Sequence, residues 1–148
     1  MQSKLLLVTP PFTQLNTAYP ATAYLKGFLE EHDVSVSHCD LSIELFTSVF
    51  TGDFLSDIFQ EAHDLGNDLY PEMREMKEQY ISRVDKVIGF LQKNDIKTAQ
   101  EILDTDFLPV GHRLKDVNTG IKWEAGDEGI IDKAKHYSTL FIEEIGDF

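Results

Sequence analysis

The sequence has one cysteine, few cations and no glycine near its start, and each shortage removes a class of function. The single cysteine, Cys39, excludes an internal disulfide and suits a reducing compartment. It also excludes a Cys-x-x-x-Cys-x-x-Cys cluster motif within these residues, because an iron–sulfur cluster is held by several thiolates. No glycine precedes Gly27, so neither a Walker loop nor a G-x-G-x-x-G dinucleotide turn can follow the first apolar run. Thirteen Lys and Arg stand against twenty-six Asp and Glu, a net charge of −13. Acid on that scale repels nucleic acid and anionic membrane. No apolar run approaches the length of a membrane span, and Met1-Gln-Ser-Lys4 leads into the first apolar run with no signal-peptide pattern. The expectation is a cytoplasmic protein with neither nucleic acid nor membrane as partner.

What is present argues for a folded globule. Hydrophobic residues make up 42% of 148 positions, with ten Phe and five Tyr, which is enough to bury a real core. Leu5-Leu-Leu-Val8 is an unalternating apolar run and reads as a strand buried on both faces. Ala21, Tyr24, Leu25, Phe28 and Leu29 then recur at helical spacing, with Pro20 suited to the first helical position. Val34-Ser-Val-Ser-His38 reads as a second strand that closes at Cys39-Asp40. The start of the chain is thus expected to be a βαβ unit.

In a parallel sheet, ligands bind beyond the carboxyl ends of the strands, where loops and helix N-termini leave backbone donors free. The segment Thr9 to Tyr19 and the pair Cys39-Asp40 fall at that end. A connection of eleven residues exceeds the usual βα length of about 2 to 6. Pro10 and Pro11 forbid helix and send it out extended. Asn16, Thr17 and Tyr19 offer polar groups near the helix start.

Leu6-Leu-Val-Thr-Pro-Pro-Phe12, Asn16-Thr-x-Tyr-Pro20, Tyr24-Leu25 and Cys39-Asp-Leu-Ser42 resemble the N-terminal segment of cobalamin-binding domains that precede a radical S-adenosylmethionine core. The resemblance covers the first 46 residues well, and the remainder is similar, more loosely, to a helical insertion in some members. It implies Pro11, Phe12, Asn16, Thr17, Tyr19 and Asp40 as neighbours of a corrin and its tail. It places any iron–sulfur cluster and S-adenosylmethionine in a further part of the polypeptide. Two departures stand out. The family's helix closes with Gly-His where this one reads His32-Asp33, so a non-glycine residue must take any left-handed turn there. No histidine lies between Thr9 and Pro20, so the loop cannot ligate cobalt as Asp-x-His-x-x-Gly does.

After Asp40 the pattern turns helical. Ser42 is expected to cap a helix over Ile43 to Phe50, followed by one over Phe54 to Ala62. Pro71 opens the longest, to about Leu91, with Met73, Met76, Tyr80, Val84, Val87, Ile88 and Leu91 on one stripe. Asn94 or Asp95 caps a helix over Ile96 to Leu103. Asn118-Thr-Gly120 between Leu114 and Trp123 suggests a small hairpin or an irregular segment. Asp127 caps a last helix with Ile130, Ala134, Tyr137, Phe141 and Ile145 inside.

Other reactive residues read as structural. Glu61-Ala-His-Asp-Leu-Gly66 ends a helix, with Gly66 as its cap and His63 at its negative end. His112 and His136 lack ligand spacing. Glu30-Glu31 and Glu143-Glu144 diverge on a helix and cannot act as catalytic pairs. Cys39 lacks a base, because His38 points to the opposite face of the strand.

The fold class expected is α/β: a partial Rossmann-like, flavodoxin-like start with two parallel strands over residues 1–41, then a mainly helical region over 42–148 packed on it. Two parallel strands make a poor sheet. The sheet is therefore expected to be completed by the C-terminal remainder of a longer chain, or by a second copy through the exposed edge. The rival reading is a non-catalytic helical interaction module that keeps a βαβ remnant and binds no cofactor.

Overall fold

The structure is a computed structural model and describes residues 4–11, 20–66, 70–115, 117 and 120–148. The chain divides into two compact units, Met1–Val49 and Phe50–Phe148. The boundary falls after the first helix beyond the second strand, so that helix belongs with the βαβ start and not with the helical region.

In the first unit β1 (Lys4–Thr9) is followed by α1 (Pro20–Glu31), β2 (Ser35–Asp40) and α2 (Leu41–Val49). The strands pair in parallel, with Leu5 opposite Val36, Leu7 opposite His38 and Thr9 opposite Asp40. Pro20 opens α1 as its fixed φ favours. Asp33 takes the left-handed turn between α1 and β2, at φ 60°, and the Val34 amide donates to Leu29 O at 3.0 Å. The left-handed turn expected at His32-Asp33 is taken by Asp33, a residue type that tolerates it better than most.

Three local expectations fail here. The cap of α2 is Asp40, whose Oδ1 accepts from the Ser42 and Ile43 amides at 3.0 and 3.1 Å, so the helix begins at Leu41 and not Ile43. An ionised carboxylate accepts from two helix-start amides, and its charge also suits the helix's positive end. The Leu5 to Val8 run is not buried: Leu5, Leu6 and Val8 are 39%, 59% and 44% exposed. On α1 the apolar stripe likewise faces outward, with Tyr24 at 79% and Phe28 at 59% exposed while Thr22 is buried. Both follow from one cause. A two-stranded sheet has too little area to cover an interior-type strand and a helix at once.

The second unit comprises α3 (Gly52–Asp64), α4 (Pro71–Glu75), α5 (Lys77–Lys93), α6 (Ile96–Ile102), α7 (His112–Lys115) and α8 (Asp127–Asp147). Tyr80, Val84, Val87, Phe90, Ala99, Ile102, Ala134 and Phe141 are its fully buried centre. Tyr80 stacks on Phe141 with ring centroids 5.4 Å apart, joining α5 to α8. Thr51 caps α3 through the Phe54 amide, and Asp95 caps α6 through the Thr98 amide. Asn94 closes α5 in the left-handed region at φ 55°. Gly66 turns the chain after α3 at φ 65°, as its position past the last apolar residue suggested.

The long helix expected from Pro71 is two helices, broken at Met76 with φ −100° and ψ 11°. The sequence leaves the stretch around Asn118 open between a hairpin and an irregular segment: Leu114 lies in α7, residues 121–124 form no regular element, and Asn118 and Thr119 lie outside the described residues. The cap of α8 is Gly126 instead of Asp127, which is the first helical residue. Of the residues expected inside α8, Ala134 and Phe141 are buried, whereas Ile130, Tyr137 and Ile145 are half-buried and Gly129, Ser138, Ile142 and Glu144 are buried instead. Of the Met73 to Leu91 stripe, Met73, Tyr80, Val84, Val87 and Ile88 are buried, and Met76 and Leu91 are half-buried.

Candidate functional site

The carboxyl ends of β1 and β2 bring Thr9, His38, Cys39 and Asp40 together, with Pro10 and Pro11 leaving the sheet beside them. Alternation along each strand puts Thr9, His38 and Asp40 on one face and Cys39 on the other. Thr9 is buried and its Oγ1 lies 3.2 Å from His38 Nε2. That contact joins two side chains across the pair and occupies one nitrogen of His38.

Cys39 is directed at α2. Its Sγ donates to Glu44 Oε1 at 3.1 Å, and that bond, helped by burial and by the charges of Glu44 and Asp40, pushes the thiol up from its ordinary value. A thiol held neutral by a carboxylate is a poor nucleophile and a poor metal ligand. Cys39 therefore acts as a tether between β2 and α2.

Of the six residues the sequence singled out, the described ones are Pro11 and Asp40. Pro11 is exposed at the strand ends. Asp40 lies at the last register position of β2, with its Oδ1 engaged in capping α2. Phe12, Asn16, Thr17 and Tyr19 lie outside the described residues. What sequence reasoning missed is this capping role; an Asp directly before an apolar helical run is the signal for it.

At this end His38 Nε2 meets Thr9 Oγ1, and the sequence from Thr9 to Pro20 carries no histidine. An iron–sulfur cluster does not fit a chain with one cysteine, held here by Glu44. Among the described residues no group of three or more His, Cys, Asp or Glu is arranged to hold a metal ion, and no helix is long and apolar enough to cross a membrane.

The second unit contains an open cleft of about 240 Å³, with polar and apolar lining, between the end of α6, the 104–110 segment, α7 and α8. Ile102, Leu108, Leu114 and Tyr137 form its walls, and Lys133 stands at it with its Nζ 5.7 Å from the Tyr137 ring centroid.

No protein-family model, curated protein or solved structure matches the chain.

Proposed function

We propose that this chain is the start of a cobalamin-binding-like, Rossmann-like domain of a radical S-adenosylmethionine enzyme, where it positions a cofactor or substrate and performs no chemistry itself. The observation that carries the reading is the contrast between the two strands. β1 is Leu-rich and exposes Leu5, Leu6 and Val8, whereas β2 is Ser-Val-Ser-His-Cys-Asp. Apolar side chains on both faces belong to an interior strand of a parallel sheet, and polar ones to an edge. In this reading further strands of the natural polypeptide lie beside β1, and the outward stripe of α1 is covered by them or by a neighbouring helix.

A corrin would rest on the strand ends against Pro11, Phe12, Asn16, Thr17, Tyr19 and Asp40, with no histidine ligand from the loop. Bound there, cobalamin supplies its own organometallic chemistry. The residues of this chain contribute shape, polar contacts and exclusion of water. The test is a cobalamin titration of the natural polypeptide that carries these residues, followed by visible absorption. Binding that weakens at least about tenfold when all six become Ala supports the reading. Unchanged binding by the six-site variant removes it.

A second reading is favoured by the exposure of Tyr24, Leu25 and Phe28 on α1 and of Ile43 on α2. Apolar surface of this kind marks an interaction site. The unit would then be a non-catalytic interaction module gripped by a partner or by a second copy through the sheet edge. It predicts no corrinoid affinity in any form of the protein.

A further inference from the structure

The cleft of the second unit sets apolar walls beside a cation that lacks a counter-charge. It holds about 240 Å³, and Ile102, Leu108 and Leu114 bring apolar surface to it from α6, the 104–110 segment and α7. Drug-sized ligands occupy pockets of about 300–1,000 Å³, so this cleft suits a smaller molecule.

Lys133 of α8 lines the same cleft. Among the described lysines of the helical unit, Lys133 and Lys135 are half-buried and the others are exposed. Lys135 has a carboxylate oxygen, Asp132 Oδ1, at 3.5 Å. Lys133 has none at ion-pair distance among the described residues, and its Nζ lies 5.7 Å from the Tyr137 ring centroid. With twenty-six acidic residues in the chain, that is not a shortage of carboxylates. An ammonium partly withdrawn from water favours a counter-anion, and a ring face replaces one only in part.

The remaining lining limits which anion fits. Asp104 also lines the cleft; it is exposed, and its Oδ1 accepts from the Thr105 amide at 2.8 Å. Its charge disfavours a second negative charge on the ligand, and so disfavours a phosphate monoester, which carries nearly two. The net charge of −13 repels small anions in general, so an anion without apolar surface gains too little to stay.

We infer that this cleft binds a small monocarboxylate with an apolar tail of a few carbons. The tail lies against Ile102, Leu108 and Leu114, and the carboxylate accepts charge-assisted hydrogen bonds from Lys133. Burial of the tail strengthens binding about fourfold per methylene. The site belongs to the helical unit and does not rest on any ligand at the strand ends of the first unit.

The test is a titration of the intact protein with hexanoate, followed by amide chemical shifts in NMR, beside butanoate and hexylamine and repeated in Lys133→Gln. The expected result is saturable shifts with hexanoate at the amides of Leu114, Lys133 and Tyr137. Butanoate binds about tenfold more weakly, because two methylenes are lost. Hexylamine gives no saturable shift there, and hexanoate binds Lys133→Gln at least about tenfold more weakly. Amide shifts away from the cleft report whether the variant keeps its fold. No saturation of the wild type by hexanoate below about 50 mM overturns the inference. So does hexylamine binding as tightly as hexanoate, or a folded Lys133→Gln protein that binds hexanoate as the wild type does.

Discussion

Gly129 and Gly111 are two glycines of the helical unit where a side chain has no room; Gly129 meets the Glu124 carbonyl, and Gly111 is the one set against α8. A Cβ there would overlap the Glu144 carboxylate, which is itself packed against α7. Gly111→Ala is expected to displace either α7 or Glu144 and to destabilise the unit by about 1–3 kcal/mol, the range for forced overpacking; urea unfolding measures it. Thr51→Ala removes the hydroxyl that accepts from the Phe54 amide, and its expected cost is about 1 kcal/mol in the same assay. Asp95 and Glu72 make a pH prediction. The hydrogen bond from the Thr98 amide lowers the Asp95 carboxyl, and the hydrogen bond and charge of Lys115 lower that of Glu72. A carboxyl lowered in the folded state contributes stability that is complete above the ordinary carboxylate range, near pH 4, and is lost as pH falls through the depressed values. The melting temperature should therefore drop below about pH 4, less steeply in Asp95→Asn, Glu72→Gln protein. At this scale the caps were only partly legible. Asp95 before Ile96 is a plain signal, whereas Asp40 and Ser42 both qualify as caps for α2, and only the strand's end at Asp40 decides between them.

The helices show where periodicity suffices and where it misleads. Tyr80, Val84, Val87 and Ile88 were readable as one buried stripe of α5, and Ala134 and Phe141 as that of α8, because helical spacing survives any tertiary context that covers one face. The break at Met76 was not readable, since no Pro or Gly marks it. Phe90 escaped the stripe and is nonetheless 1% exposed, because α5 is covered on more than one side. Phe141→Ala, which removes a ring stacked on Tyr80, is expected to cost about 3–5 kcal/mol in chemical denaturation. Val110→Ala, at a position more than half exposed, is expected to stay within about 0.5 kcal/mol of wild type. α7 overlaps the start of a segment read as a hairpin or as irregular. Its side chains meet residues such as Glu72 and Asp147, far away in sequence, and local patterning carries no trace of those contacts.

For the molecule as a whole, the sequence was read correctly at the level of two parallel strands followed by helices. The burial of the first strand and helix was not, and the failure is informative. Apolar runs report the environment a segment is suited to, and Leu5, Leu6, Val8, Tyr24 and Phe28 are suited to an environment that two strands do not provide. The proposed larger parallel sheet, with its strand ends facing a corrin, supplies that environment. The measurement that bears on it most directly is the cobalamin titration of the natural polypeptide carrying residues 1–148, beside its six-site Ala variant at Pro11, Phe12, Asn16, Thr17, Tyr19 and Asp40. The account predicts saturable binding by the wild type and at least about tenfold weaker binding by the variant. No binding by the wild type, or equal binding by both, would contradict it.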